Sequence, residues 1–187
     1  MSDGSLPLTQ LLERRERDYL LEKVKVLMRS SVENLDIGDF RVENLKVGES
    51  TELPRWVAEE LVSLNLAQID EEPFDSEVFR ALSREKMMGP LQLSALEQDF
   101  YPRMKRRLAH LAEALSEGKV RKEDLDRIKA GSYDLIGMRL SKLLSLSSST
   151  TSSPTLFEKL TPEETAFFSV SQSLSKEWRL ALLGSSR

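Results

Sequence analysis

The side chains that most often perform catalysis are scarce in this sequence. Its 187 residues include one histidine, His110, and no cysteine. The lack of cysteine excludes a thiolate nucleophile, a cysteine-ligated zinc site and a disulfide framework. A serine triad would need His110 together with a GxSxG motif, and neither that motif nor HExxH occurs. We therefore expect His110 to be an exposed or interface residue of a helix.

Acidic pairs are the next candidates, because paired carboxylates serve acid–base catalysis and metal binding. The pairs are Glu71 with Glu72, Asp124 with Asp126, and Glu163 with Glu164. Their context is that of linker charges, solvated helix faces and helix starts. The glycine-rich loops that bind nucleotide phosphates are also missing from the sequence. The sequence thus predicts no catalytic residue, no cofactor and no metal site, and we interpret the chain as not being an enzyme.

A basic cluster offers binding chemistry instead. Its members are Arg103, Lys105, Arg106 and Arg107. Such a cluster supplies phosphate contacts to DNA, and a nucleic-acid-binding module is our alternative function. We favour the interpretation that these residues form the solvent-exposed face of a helix, where their long side chains cover apolar surface. The net charge of −4 also argues against binding nucleic acid by overall charge.

Charge is divided unevenly along the chain. Residues 1–74 carry nine basic and sixteen acidic side chains, a net charge of −7, whereas residues 75–187 carry eighteen and fifteen, a net charge of +3. The apolar periodicity changes at the same place, from mixed to helical. We therefore predict an α+β, mainly α protein. A small β-rich domain occupies 1–74, and a helical bundle domain occupies 75–187.

The first domain is predicted to be a few-stranded sheet closed by a helix. Short strands are predicted at residues 23–28, 32–37, 40–45 and 66–69, and helices at 9–17 and 53–62. Pro54 is expected in the first turn of the second helix. Trp56 either anchors this helix on the sheet, which we favour, or stacks on a ligand.

The second domain is predicted to contain four helices. The first spans residues 76–88. The second begins either at a capping box in residues 94–97 or near Phe100, where Pro102 would fall in the first turn. It is expected to end near Gly118.

The third helix is predicted at about residues 122–146, with an apolar stripe that includes Leu135, Ile136, Leu140, Leu143 and Leu144. Gly131 and Gly137 within it mark a break or a close helix crossing. A Ser/Thr-rich stretch at 145–155 is expected to be a flexible loop.

The last helix is predicted to begin at Thr161, where an N-cap threonine, a proline and two glutamates coincide. Its apolar side chains fit either an intramolecular core or a neighbouring subunit, and both interpretations stay open. The candidate subunit-interface residues are Phe100, Tyr101, Phe167, Phe168, Leu174, Trp178 and Leu182.

Several motifs in this order resemble a known family. In the first domain they are Ile-Gly-Asp-Phe at 37–40, Val-Gly at 47–48 and the LPxWxAxxL pattern at 53–61. In the second they are Asp-Phe-Tyr at 99–101, RxxKL at 139–143 and LTxEE at 160–164. Together they resemble a subunit of GINS, the four-subunit accessory complex of the replicative helicase. The domain order resembles the archaeal class that has its β-rich domain first.

The resemblance implies a non-catalytic scaffold in chromosomal DNA replication. The implied partners are a complementary GINS subunit in a two-by-two heterotetramer, the MCM helicase and a RecJ-like protein, with further links to primase and DNA polymerase. Contact with DNA would be weak or indirect. No apolar run approaches the ~20 residues that cross a bilayer. We expect a cytoplasmic, nucleoid-associated protein, or a nuclear one if the source is eukaryotic.

Overall fold

Two compact units make up the chain in a computed structural model that describes residues 8–71, 73–149 and 154–184. Residues 12–71 form a β-rich unit. Residues 8–11, 73–149 and 154–184 form a helical unit. The predicted fold class, α+β and mainly α, is confirmed. None of the helices in the described part is long and apolar enough to cross a membrane.

The β-rich unit holds a three-stranded sheet and a separate hairpin. Its elements are α1 (Leu8–Leu21, which begins in the residues assigned to the helical unit), β1 (Lys23–Met28), β2 (Val32–Ile37), β3 (Phe40–Leu45), β4 (Ser50–Pro54), α2 (Arg55–Ser63) and β5 (Ala67–Ile69). The sheet order is β4-β1-β5, with both pairs antiparallel. The hairpin pairs β2 with β3, and Gly38 in its turn has a φ of +57°, which suits glycine.

Strict alternation in β1 places this unit's core. Val24, Val26 and Met28 are buried, and Lys23, Lys25 and Leu27 on the opposite face are exposed, as the period-2 pattern predicts. Val57 and Leu61 of α2 lie in the same apolar cluster. The core of the unit therefore lies between one face of this sheet, helix α2 and the β2–β3 hairpin.

Two predictions for this unit are wrong. Residues 53 and 54, predicted as the start of a helix, belong to strand β4, so Pro54 ends a strand and does not sit inside α2. The strand was missed because only Leu53 of its five residues is buried. Helix α1 also runs to Leu21, past the predicted end at residue 17. Its last turns are held by Tyr19, which is buried beneath the Arg55 guanidinium, 4.2 Å from the ring centre.

The helical unit is built from four long helices and one short one within the described residues. They are α3 (Phe74–Met87), α4 (Phe100–Ser116), α5 (Lys122–Ser147), α6 (Pro154–Phe157) and α7 (Pro162–Leu183). One apolar cluster joins α3, α4 and α5 around Val78, Phe100 and Leu135. A second joins α5 to α7 around Leu143, Leu160 and Phe168.

Helix α4 begins at the later of its two predicted starts. It starts at Phe100, so Pro102 falls in the first turn, where it lacks no helical hydrogen bond. The capping-box alternative at residues 94–97 is wrong, because Ser94 donates its hydroxyl to Glu85 of α3 instead. The helix ends at Ser116, and Gly118 follows with a φ of +72°.

The serine-rich stretch is more helical than predicted. Helix α5 continues through Ser147, and α6 occupies Pro154–Phe157. The predicted loop at 145–155 is therefore wrong at both ends, while residues 150–153 lie outside the described part. Serine hydroxyls here bond back to carbonyls of their own helix, as Ser145 does to Ser141, which lets them stay helical.

Candidate subunit interface

An ionic cluster is buried at the centre of the helical unit. Arg139 of α5, with 0% of its surface exposed, lies 2.7 Å from the Glu85 carboxylate of α3. Its other terminal nitrogen lies 2.7 Å from a carboxylate oxygen of Glu164 in α7. Lys142, one turn along α5, approaches Glu85 to 2.6 Å. Two cations thus meet two carboxylates, and the pairing offsets the cost of burying each charge.

Neutral groups complete the hydrogen bonding of this cluster. The Ser94 hydroxyl donates to Glu85 at 2.7 Å, and the Tyr101 hydroxyl of α4 donates to Glu164 at 2.7 Å. Arg139 also donates to the Ser94 carbonyl at 2.8 Å. The cluster therefore links α3, α4, α5 and the start of α7, and it fixes their relative positions through polar contacts that work only in one arrangement.

Burial and charge act together on the pKa values of the cluster. Burial raises the pKa of Glu85, but hydrogen bonds from Lys142 and Ser94 outweigh it, so the net pKa is lowered. Burial, followed by the Glu164 carboxylate, raises the pKa of the Tyr101 phenol well above its usual range. Burial lowers the pKa of Arg139, but the hydrogen bonds and charge of the Glu164 carboxylate outweigh it, so the net pKa of Arg139 is raised. At neutral pH the cluster thus holds ionised Glu85 and Arg139 beside a neutral tyrosine.

Helix α7 is anchored at its first turn. Thr161 accepts a hydrogen bond from the Glu164 backbone N–H at 3.3 Å, and the Glu164 carboxylate accepts one from the Thr161 N–H at 3.2 Å. The predicted helix start at Thr161 is confirmed, and the two bonds form a capping box with Pro162 as the first helical residue. Because Glu164 also binds Arg139, the cap ties α7 directly to α5.

The rest of α7 carries an apolar stripe that the described chain does not cover. Its members recur every four residues, so they lie on one side of the helix; they are Val170, Leu174, Trp178 and Leu182. The exposed fractions of Leu174, Trp178 and Leu182 are 66%, 66% and 65%. No α7 residue after Phe168 is buried within the described residues. Exposed apolar stripes of this length are typical of surfaces that a binding partner covers.

The ionic cluster is also where the sequence motifs meet. It contains Tyr101 of the Asp-Phe-Tyr motif, Arg139 and Lys142 of RxxKL, and Glu164 of LTxEE. The family model described as the GINS complex protein helical bundle domain matches residues 66–183, well over half of the chain. The chain belongs to the GINS family. No curated protein sequence matches it.

GINS proteins are non-catalytic subunits of a DNA replication complex, and family membership makes this chain a GINS complex subunit that assembles with other GINS subunits. No group of three or more His, Asp or Glu side chains within the described residues is arranged to hold a metal ion. His110 is exposed on α4. Among the acidic pairs, Glu71 binds Arg55, Asp124 binds Arg121 and Glu164 belongs to the cluster, while Glu72 lies outside the described part.

The predicted interface residues of this GINS subunit separate into three groups. Phe100 and Phe168 each have 0% of their surface exposed, so the interface prediction is wrong for both, because each packs inside its own chain. Tyr101 and Phe167 are half-buried at the edge of the apolar clusters. Leu174, Trp178 and Leu182 form the exposed stripe with Val170, and for them the interface stays a prediction.

Two of the four cations in the basic cluster on α4 pair with carboxylates of α3. Arg103 lies 2.9 Å from the Glu77 carboxylate, and Arg107 donates two hydrogen bonds of 2.7 Å to Asp75. These ion pairs weigh against the DNA-contact hypothesis for these two residues, because each guanidinium already binds a carboxylate of its own chain. Lys105 is exposed and Arg106 half-buried, and both have interactions within the chain. For them DNA contact stays a prediction.

Helix α5 carries a second uncovered apolar face, which includes part of the apolar stripe predicted for this helix. Tyr133, Ile136, Leu140 and Leu144 are all at least 38% exposed. The last three belong to the predicted stripe but are not buried, because Arg139 and Lys142 lie on the buried side with Leu135 and Leu143. The signal was present in the four-residue spacing of Leu135, Arg139 and Leu143, which places a charge in the core position.

Proposed function

We propose that this GINS subunit is a non-catalytic scaffold that supports the replicative helicase during chromosomal DNA replication. The observation that carries the proposal is the uncovered apolar stripe of α7 on a helix anchored by the buried ionic cluster. A rigid helix with one exposed apolar side suits docking on another protein, because little conformational entropy is lost on binding.

We propose that the complementary GINS subunit covers this stripe in a two-by-two heterotetramer. The stripe spans about three turns of α7, and Trp178 near its middle is the residue type most often found at the energetic centre of interfaces. The exposed face of α5 gives the helical unit a second apolar surface, which fits a subunit with more than one neighbour. The order of the two units favours the archaeal class with its β-rich domain first.

Beyond the complex itself, we propose MCM helicase and a RecJ-like protein as the partners that the assembled subunits bridge. Primase and DNA polymerase are further proposed contacts, and the setting is the cytoplasm at the nucleoid, or the nucleus in a eukaryote. These partners follow from the family resemblance and from a surface built for contact.

A bridging experiment tests the scaffold role. Tagged MCM is immobilised and mixed with the RecJ-like protein, with and without the purified complex of both GINS subunits. We expect retention of the RecJ-like protein only when the complex is present. Equal retention without the complex, or no retention with it, would contradict the scaffold role.

A further inference from the structure

A groove in the β-rich unit lies between a strand and a helix. Its volume is about 370 Å³. The residues that line it come from β2 and its turn on one side and from α2 and its last turn on the other; they are Leu35, Asp36, Ile37, Gly38, Trp56, Glu60 and Leu64. The helix residues recur every four positions, so one face of α2 forms one whole wall.

The strand wall presents a backbone edge. Successive side chains of a strand point to opposite faces, so a cavity against one face would be lined by alternate residues. Here three consecutive residues of β2, 35–37, line the groove, together with Gly38 of the turn. Within the described residues β2 pairs with β3 alone, which leaves its other edge without a strand partner. The N–H and C=O groups of such an edge are a template for an added strand.

The helix wall supplies an aromatic surface and a negative charge. Trp56 is half-buried and packs against Phe40 in a T-shaped arrangement, with ring centres 6.1 Å apart. Glu60, one turn along, is exposed and forms no ion pair within the described residues. Asp36 on the opposite wall already pairs with Arg41 at 2.7 Å. A cation that enters the groove therefore meets the Trp56 ring and the free Glu60 carboxylate together.

We propose that this groove binds an extended, basic segment of a partner protein, which pairs with the free edge of β2 and places a lysine or arginine over Trp56 beside Glu60. Main-chain pairing supplies affinity, and the alternate side chains that enter the groove supply specificity. Charge selects the occupant, because residues 1–74 carry a net charge of −7 and repel nucleic acid and acidic segments. The groove lies in the β-rich unit and shares no residue with the α7 stripe, so its test is independent of subunit assembly.

Peptide binding to the full chain tests this proposal. The probe is a fluorescein-labelled peptide of alternating lysine and valine, followed by fluorescence anisotropy. One control peptide has glutamate in place of every lysine. Two further control peptides carry N-methyl groups on alternate backbone amides, the first on the odd-numbered and the second on the even-numbered residues, so that each blocks the hydrogen bonds of one edge of the added strand. The variants are Glu60→Gln and Trp56→Phe, and the matched control is Glu52→Gln, which removes an exposed carboxylate from β4, outside the groove.

We expect saturable binding of the basic peptide and none of the acidic one. Glu60→Gln should weaken binding about two- to fivefold, the range of an exposed ion pair. Trp56→Phe should weaken it by a similar factor, because phenylalanine retains packing but gives a weaker cation–π contact. Glu52→Gln should bind as wild type, and at least one N-methylated form should lose binding. No binding of the basic peptide, equal binding of the acidic one, or equal effects of Glu60→Gln and Glu52→Gln would overturn the proposal, and so would unchanged binding of both N-methylated forms.

Discussion

Arg139 shows at the scale of a single residue how this protein fixes its helical unit. A guanidinium with no exposed surface is stable only if its charge and its hydrogen bonds are satisfied. Glu85, Glu164 and the Ser94 carbonyl supply those partners from three different parts of the chain. The residue therefore acts as a specificity device, since an alternative packing of the helices would leave a buried charge alone.

Replacement of Arg139 by methionine should strongly destabilise the protein. Arg139→Met leaves the Glu164 carboxylate without its buried partner, and we expect a loss of about 3–5 kcal/mol in the free energy of unfolding. Urea unfolding followed by circular dichroism measures it. The control is Arg121→Met, since Arg121 is 79% exposed and pairs with Asp124 at the surface. That change should cost less than about 1 kcal/mol. Similar losses for both variants would contradict a structural role for the cluster.

Acid should destabilise the protein through Glu85. The pKa of Glu85 is lower in the folded state than in the unfolded chain. Ionised Glu85 therefore contributes fully to the free energy of unfolding above the usual pKa of 4.5, and this contribution is lost as the pH falls through the lower pKa of the folded state. Thermal unfolding midpoints measured from pH 7 to pH 3 report this loss.

In Glu85→Gln the same decline should be shallower, because the side chain no longer titrates. An identical pH profile for wild type and Glu85→Gln would show that this carboxylate does not carry the acid sensitivity.

At the scale of elements, the stability of the helical unit depends on how closely α3 and α5 pack where they cross. A Cβ added at Gly131 of α5 would lie 3.0 Å from Cε1 of Phe79 on α3, whereas nothing lies within 4 Å of one added at Gly137. Both glycines are in the same helix, so an alanine gains the same helix propensity at either. The predicted close crossing is thus confirmed at Gly131, and Gly137 is merely a weak helix former on the exposed face.

Alanine substitutions at these two glycines should change the free energy of unfolding by different amounts or in opposite directions. We expect Gly137→Ala to stabilise the protein by up to about 1 kcal/mol. Gly131→Ala should lose this gain, or destabilise by about 1–3 kcal/mol, because Phe79 must shift to make room. Chemical unfolding of the two variants side by side measures the difference. Equal stabilisation by both would mean that α3 and α5 are not closely packed at Gly131.

Most elements were predictable from the sequence because local signals specify them. Alternating burial in β1 and the cap at Thr161 each arise from a few neighbouring residues. Strand β4 was not predictable, because its pairing with β1 depends on residues more than twenty positions away. The start of α4 was ambiguous for a related reason, since Ser94 has a hydroxyl suited to capping but a buried carboxylate on α3 binds it.

The candidate site was predictable only in part. Periodicity identifies the apolar positions of α7, but it does not say which of them the chain covers itself. Phe167 and Phe168 are neighbours in the sequence, yet only Phe168 is fully buried. Whether Trp178 is exposed depends on which other helices pack against this part of α7. That is a property of the tertiary structure, and the local sequence pattern does not contain it.

At the scale of the whole molecule, the account rests on two units with different surfaces. The helical unit offers apolar stripes on α5 and α7, and the β-rich unit offers a groove with a free carboxylate. Neither resembles a catalytic centre, and both suit contact with other proteins. The β-rich unit thus carries the groove proposed for a basic segment, and the helical unit carries the apolar stripes proposed for subunit assembly.

A charge placed in the α7 stripe should separate assembly from folding. Trp178→Glu lies on an exposed side of α7, so we expect the monomer to fold as wild type and to bind the complementary GINS subunit more weakly by about 2 kcal/mol or more. Calorimetric titration measures binding, and circular dichroism checks the fold. The control is Lys176→Glu, on an exposed α7 position outside the stripe. Equal binding by wild type and Trp178→Glu would place the interface elsewhere.

The mass of the complex formed with the complementary subunit tests the central claim most directly. The full chain and that subunit are co-expressed, purified and measured by size-exclusion chromatography with light scattering. We expect a heterotetramer with two copies of each chain. A stable monomer of 21.3 kDa beside an unbound, folded GINS partner would contradict the assignment of this protein as a scaffold that acts through its interfaces.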